Sequence, residues 1–226
     1  MIGTKAKVLS LFLKCVVIVS AAVGVVLSAI AGAQAFMGGS RVFMYFTIQS
    51  NIAIALVCAV GAVLLLSKKP IKEIWYVIKY VFTVSITLTG VVFCFVLAPT
   101  LGKYAWSPQH VLTHVVVPIA AVADLFVTGR YSSIQKRSVV FVTIPPLLYA
   151  VYTGIAYAAG WEFSKGVNYP YFFLNWGSPA GAFGFTQGLP YMGCAWWILL
   201  ILVLLLAVGY GYLASLDLMK RRLQLK

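Results

Sequence analysis

The chain has 226 residues, of which 62% are hydrophobic and only 9% charged, and its formal net charge is +13. About a quarter of a soluble domain is charged, because its surface faces water. A chain with so few charges cannot cover a globular surface. This excludes a soluble protein and makes lipid the expected surroundings.

Six apolar runs follow one another along the chain. Each is long enough to cross about 30 Å of hydrocarbon at roughly 1.5 Å of rise per helical residue. We therefore predict an all-α, polytopic membrane protein in which residues 1–226 form a single transmembrane domain. The first run is longer than the apolar core of a secretion signal, so we expect it to be a retained span. The predicted spans are 15–37, 42–66, 74–98, 109–128, 138–159 and 189–214, with a long aromatic loop at 160–188.

The positive charges are unevenly shared between the two sides of these spans. Of the 17 Lys and Arg residues, Arg41, Lys103 and Lys165 lie on the side of the aromatic loop, and the other 14 lie on the opposite side. Short cytoplasmic loops are rich in Lys and Arg, so we expect both termini in the cytoplasm. The basic residues would then face anionic lipids. Membrane lipids are the expected partners, nucleic acid is not, and nothing in the sequence sets the oligomeric state.

The four cysteines occupy four different apolar runs, and the chain has no CxxC pair. This pattern is typical of small packing residues rather than of a metal or redox site. The residues are Cys15, Cys58, Cys94 and Cys194.

The second predicted span begins with a polar cluster. Polar side chains are costly inside a bilayer, so they tend to face the bundle interior and to indicate function. Thr47, Ser50 and Asn51 follow the spacing i, i+3, i+4 and share one helical face.

The fourth predicted span carries the only two histidines of the chain, His110 and His114, one helical turn apart. Ser107 is the predicted N-cap of this helix, and Pro108 is its predicted first residue. The partial positive charge of a helix N-terminus favours the neutral imidazole, which is the form that accepts a proton.

Thr47 and His114 have matching depths in two spans that start from the same face. Each lies about five residues, or roughly 8 Å, inside its span. We therefore predict that they meet, with Thr47 as the nucleophile toward an ester carbonyl and His114 as the general base. Ser50, Asn51 or Gln49 are candidate donors to the oxyanion. In the alternative interpretation, Thr47 and His114 make interhelical or backbone contacts and have no catalytic role.

Asp124 is the one carboxylate inside a predicted span. It follows His114 by ten residues, which places it about 15 Å deeper, too far to orient the imidazole. We expect it to pair with a Lys or Arg, Lys79 being one candidate, or to be protonated. Its role is then structural or supporting.

Substrate contacts are predicted for polar and aromatic residues around the Thr47–His114 pair. For the two tyrosines of the fifth span, ordinary packing inside the bundle is the competing interpretation. The predicted substrate-binding residues are Ser50, Asn51, His110, Tyr149, Tyr152 and Asn175.

No cofactor or metal is predicted. Two histidines at i, i+4 offer two metal ligands, but catalytic zinc normally has three protein ligands, and the only carboxylate on that side is Glu162 in the long loop. A haem needs histidines on opposite faces of its ring, whereas both lie on one helix. The last apolar run has no lysine for a retinal. Transporters often have two related halves; no internal repeat is found, although Pro118 and the pair at 145–146 should bend two spans.

The segment YFTIQSN at 45–51, followed by His110, His114, Pro118 and Asp124, resembles the androgen-induced-protein-like family of six-span membrane proteins. The segment YPYFF at 169–173 is similar to an aromatic loop of the prokaryotic relatives, which implies a bacterial plasma membrane. Animal members are threonine hydrolases that cleave fatty acid esters of hydroxy fatty acids. The resemblance implies that Thr47 is the nucleophile and that His114 is the essential histidine.

This chain departs from the animal members in two places. The spacing from His114 to Pro118 differs by one residue, and the residues that follow Thr47 belong to the prokaryotic pattern. The expected function is an intramembrane lipid-ester hydrolase whose substrate class is taken from the animal members. The alternative is a non-catalytic membrane protein, such as a small transporter or a lipid-binding protein.

Overall fold

The fold is given by a computed structural model that describes residues 2–34, 39–67 and 70–224. No β-strand occurs in these ranges, and the predicted all-α bundle of six transmembrane helices is confirmed. The helices that are long and apolar enough to cross a membrane are α1 Thr4–Gln34, α2 Phe46–Leu66, α3 Glu73–Tyr104, α4 Pro108–Gly129, α5 Lys136–Ala158 and α6 Cys194–Arg222.

The helices differ from the predicted spans mostly at their ends. Helix α1 begins at Thr4 rather than at residue 15, and α3 continues to Tyr104. Hydropathy locates only the part of a helix that lies in hydrocarbon, whereas backbone hydrogen bonding continues into the turns that face water. Some predicted positions lie outside the described residues, namely 35–37 of the first span and the basic residues Lys68, Lys69 and Lys226.

Helix α3 lies at the centre of the bundle. Together with α1, α2 and α4 it buries one apolar core, in which Ile54, Ile86 and Val117 pack together. Together with α4, α5 and α6 it buries a second core around Leu125 and Leu205. A helix that is apolar on all sides is expected at such a position.

Helices α3 and α4 each contain one wide, π-type turn. These turns are Phe93–Leu97 in α3 and Leu112–Val116 in α4. Each precedes a proline, Pro99 or Pro118, whose ring nitrogen cannot donate to the carbonyl four residues earlier. The extra residue in the turn accommodates the missing hydrogen bond, and π-type turns are frequent at functional sites. The bend expected at Pro118 takes this form.

A buried ionic cluster joins α1, α3 and α4. The Asp124 carboxylate is 2.6 Å from the ammonium group of Lys79 and 2.6 Å from that of Lys14. It also accepts a hydrogen bond from Ser10, and Lys79 donates to Thr128 at 2.6 Å. The predicted pairing of Asp124 with Lys79 is confirmed. Lys14 directly precedes the first predicted span and is counted among the basic residues outside the spans; this is wrong, because α1 begins at Thr4 and buries this side chain.

The loop between α5 and α6, residues 159–193, folds over the start of α2. The Tyr45 hydroxyl donates to the carbonyl of Phe163 at 3.3 Å, and Arg41 pairs with Glu162 at 3.2 Å. Burial raises the pKa of Tyr45 above its ordinary value, so this hydroxyl stays protonated and remains a donor. We refer to this end of the bundle as the loop end.

Candidate active site

Thr47 and His114 meet at the loop end of the bundle. Thr47 lies in the first turn of α2, and His114 lies in the wide turn of α4. The Thr47 hydroxyl oxygen is 3.3 Å from Nε2 of His114. The contact predicted from their matching depths is therefore present.

The surroundings of His114 decide which ring nitrogen carries the proton. Its Nδ1 is 3.0 Å from the carbonyl oxygen of His110 and 3.0 Å from the Thr113 hydroxyl oxygen. Thr113 donates its own proton to the carbonyl of Gln109 at 2.7 Å, so it presents a lone pair to the ring. With acceptors on both contacts, Nδ1 must donate. Nε2 then carries a lone pair that faces Thr47, and the Thr47 hydroxyl donates to it.

A backbone carbonyl thus orients the imidazole, a role that a carboxylate fills in the serine protease triad. The ring is also fixed from one face by Phe93, whose ring centroid is 3.8 Å away at an interplanar angle of 20°. His114 is buried, and Phe93 belongs to the wide turn of α3. The two wide turns therefore place the base and its packing partner against each other.

Ser50 and Asn51 connect α2 to its neighbouring helices. The Ser50 hydroxyl bonds to that of Thr89 on α3 at 2.8 Å. The Asn51 amide donates to the carbonyl of Thr47 at 2.8 Å and to that of Thr113 on α4 at 3.2 Å. These bonds engage both side chains in contacts between helices, and their roles as oxyanion donors and substrate contacts stay predictions. Gln49 likewise donates to the carbonyl of Phe43 on the exposed side of α2.

His110 supports the start of α4. Its Nδ1 lies 3.2 Å from the carbonyl of Ala105 and 3.3 Å from that of Tyr104, so it holds the preceding turn, and its substrate contact stays a prediction. Ser107 and Pro108 take the predicted N-cap and first positions of this helix, but Ser107 makes no side-chain capping bond among the described residues.

An apolar cavity of about 60 Å³ lies beside Thr47. It is lined by residues of α2, α3, α5, α6 and the loop, and it reaches Thr89 on α3. Its walls are mainly aliphatic and aromatic, and include Leu88, Val92, Phe173, Ile198 and Ile201.

The three remaining predicted substrate contacts have different outcomes. Tyr149 lines the cavity, as predicted. Tyr152 packs behind it against Trp161 and Phe163, which corresponds to the packing interpretation. The Asn175 side chain accepts a bond from the backbone N–H of Gly177 in its own turn and does not line the cavity, so its substrate contact stays a prediction.

His114 borders a second space on the other side of the pair. This groove lies between α3 and α4, and it is also lined by Cys94, Pro118 and Ile119. Ile119 is 65% exposed on the outer surface of the bundle, so the groove faces the bilayer. The Thr47–His114 pair therefore borders two apolar spaces, a cavity on the side of Thr47 and a more open groove on the side of His114.

The tyrosine of the aromatic loop that reaches Thr47 is Tyr171, which the sequence does not single out among the loop tyrosines. Its hydroxyl is 3.3 Å from the backbone nitrogen of Thr47 and 3.4 Å from the Thr47 hydroxyl oxygen. Loss of solvent around this hydroxyl raises the pKa of Tyr171, so it is protonated at neutral pH. The YPYFF segment drew attention to the loop, but only the fold of the loop shows which of its tyrosines reaches Thr47.

The fold and the apolar exterior define a multi-pass integral membrane protein. Comparisons with protein-family models, curated proteins and solved structures find no significant match to this chain. The resemblance to the androgen-induced-protein-like family therefore stays a prediction.

Proposed function

We propose that this protein is an intramembrane lipid-ester hydrolase with Thr47 as nucleophile and His114 as general base. One observation carries the proposal: Nε2 of His114 lies 3.3 Å from the Thr47 hydroxyl oxygen, beside an apolar cavity. A hydroxyl within reach of a base that is itself oriented by a third group is the arrangement of an activated nucleophile.

The reaction has two halves. In the first, the Thr47 oxygen bonds to the ester carbonyl carbon while its proton passes to Nε2 of His114. The tetrahedral intermediate collapses, the ester C–O bond breaks, and the leaving alcohol takes that proton. In the second half, water gives a proton to Nε2 as it attacks the acyl-threonine. Collapse then returns the proton to the Thr47 oxygen and releases the fatty acid.

The substrate we propose is an ester with an apolar chain on each side of its carbonyl group. The apolar lining of the cavity beside Thr47 suits one chain, and the apolar lining of the lipid-facing groove beside His114 suits the other. Such a molecule would enter sideways from the bilayer, because both spaces are lined by apolar side chains. Fatty acid esters of hydroxy fatty acids, the substrates of the animal members of the family that this chain resembles, meet this description.

The proposal includes an orientation in the membrane. The excess of Lys and Arg away from the loop end supports cytoplasmic termini, which places the Thr47–His114 pair in the outer half of the bilayer. Resemblance to the prokaryotic members of the family supports a bacterial plasma membrane.

A fluorophosphonate probe tests the nucleophile. The probe should label the purified protein, and Thr47→Ala should abolish both labelling and the turnover of long-chain esters. His114→Ala should slow labelling by about 100-fold or more, since a general base contributes 10²–10⁴-fold. Thr100→Ala is a matched control, because its exposed hydroxyl donates to a carbonyl of its own helix. Labelling that survives Thr47→Ala would contradict the assignment of the nucleophile.

The buried ionic cluster favours a second candidate, a small transporter. Ionisable groups inside spans often mark ion or proton pathways, and Asp124 with its two lysines is such a group. Absence of ester turnover together with proton-coupled uptake in liposomes would favour this candidate.

A further inference from the structure

The hydrogen bonds around Thr47 run in one direction and include the hydroxyl of Tyr171. The Thr47 hydroxyl donates a hydrogen bond to His114, because Nε2 of that ring is unprotonated. The Thr47 oxygen therefore accepts from Tyr171 at 3.4 Å, and the Tyr171 oxygen accepts from the backbone N–H of Thr47 at 3.3 Å. Tyr171 thus holds one proton beside the attacking oxygen and can redirect it toward a substrate.

We propose that the Tyr171 hydroxyl is the oxyanion donor of this site, which makes the α5–α6 loop a catalytic element. This inference rests on the proposed function. When the carbonyl carbon bonds to the Thr47 oxygen, the oxyanion lies about one bond length beyond that carbon. A donor 3.4 Å from the Thr47 oxygen, on the wall of the cavity that holds the ester, is within hydrogen-bond reach of that position.

The position of Tyr171 also suits developing negative charge. The hydroxyl lies over the N-terminus of α2, a helix of 21 residues whose first N–H groups have no partner within the helix. The partial positive charge at a helix N-terminus stabilises anions. The Thr47 N–H, which contacts Tyr171 in the resting site, is a second donor directed to the same region. The side chains that the sequence suggested for this role, Ser50 and Asn51, are engaged with α3 and α4.

Aromatic packing holds the Tyr171 ring in place. Its ring is stacked on that of Phe173 with centroids 5.0 Å apart and an interplanar angle of 6°. Tyr45, at the start of α2, packs edge-on against it at 5.8 Å. Preorganised donors stabilise a transition state at little cost in reorganisation. The loop therefore does more than cover the cavity, because it completes the set of groups that act on the ester.

The test compares Tyr171→Phe with Tyr169→Phe, which removes a hydroxyl from the same loop without affecting a described hydrogen bond. Tyr171→Phe keeps the ring and its stacking, so we expect a folded protein with an unchanged thermal midpoint. Its kcat for a long-chain ester should fall by about 100-fold with little change in KM, because the contact forms only in the transition state. A long-chain trifluoromethyl ketone, which forms an oxyanion on Thr47, should bind more weakly by a similar factor. Tyr169→Phe should match the wild type in all three measurements.

The possible results separate this inference from the proposed function. Wild-type protein without ester turnover would overturn both. An active wild type whose Tyr171→Phe variant keeps its kcat, or loses activity through KM alone, would overturn only the role of Tyr171. The same holds if Tyr169→Phe loses as much activity as Tyr171→Phe, because the loss would then reflect the loop as a whole.

Discussion

At the level of single residues, Asp124 is the centre of a buried cluster of charges that lies away from Thr47 and His114. One carboxylate faces two ammonium groups, and all three side chains are buried. The Lys79 ammonium group donates hydrogen bonds to three acceptors, namely the carboxylate of Asp124, the backbone carbonyl of Asp124 and the Thr128 hydroxyl. The cluster fixes α1 and α3 to α4 below the proposed site.

Substitutions in this cluster should have unequal effects. Asp124→Asn leaves two buried cations without a carboxylate, and removal of one partner from a buried ion pair costs about 3–5 kcal/mol. Lys14→Met leaves the Asp124–Lys79 pair intact and electrically balanced, so we expect a much smaller loss. Thermal unfolding in detergent, with size-exclusion profiles as a check of folding, measures the order. Equal losses, or a larger loss for Lys14→Met, would contradict this account.

The sequence predicts some of these residue contacts and not others, for a physical reason. Thr47 and His114 could be paired because the rise of a helix converts sequence position into depth. Which side chains meet at one depth depends on how each helix is rotated about its own axis. The depth of a residue does not give this rotation. The bonds of Ser50 and Asn51 to neighbouring helices and the contact of Tyr171 with Thr47 were therefore beyond reach.

At the level of elements, the approach of α3 to α4 sets the position of the base. Pro118 cannot donate to the carbonyl of His114, and this carbonyl packs against Gly90 of α3. A Cβ built on Gly90 would be 2.8 Å from that oxygen and 3.3 Å from Pro118 Cγ. The absence of a side chain at Gly90 therefore lets the two helices meet where the imidazole stacks on Phe93.

Gly90→Ala should displace α4 from α3 and lengthen the Thr47–His114 contact. We expect kcat/KM for ester turnover to fall by about tenfold or more, since small displacements of catalytic groups are costly. Gly211→Ala in α6 is the matched control, because nothing lies within 4 Å of its added Cβ. It should leave activity unchanged, and a helical alanine should preserve or raise the thermal midpoint. Equal activity of the two variants would show that the close approach does not position His114.

At the level of the whole molecule, the number of spans follows from hydropathy, because every span must satisfy its backbone internally and present apolar side chains to lipid. Hydropathy does not show which helices pack against one another. Helices α1–α4 hold the Thr47–His114 pair, whereas α5, α6 and the loop form most of the cavity wall. Loop residues 159–193 carry aromatic side chains that suit both a membrane interface and a packed lid, and only their fold distinguishes the two.

The direction of the molecule in the membrane is a separate prediction. The structure buries Lys14 and Lys79, so two of the 14 basic residues assigned to the cytoplasmic side do not contribute to the charge bias there. The bias remains strong, with three basic residues on the side of the loop end. Single cysteines placed at the exposed positions Lys165 and Lys136, in a protein whose native cysteines are replaced, report the orientation.

In intact bacterial cells, a membrane-impermeant maleimide should label Lys165→Cys in the α5–α6 loop. Lys136→Cys, at the opposite end of the bundle, should be labelled only after the cells are permeabilised. The physical reason is the cost of moving segments rich in Lys and Arg across the membrane, which keeps the basic side in the cytoplasm. The reverse pattern would place the Thr47–His114 pair in the inner half of the bilayer. The proposed ester would then have to enter from the cytoplasmic leaflet.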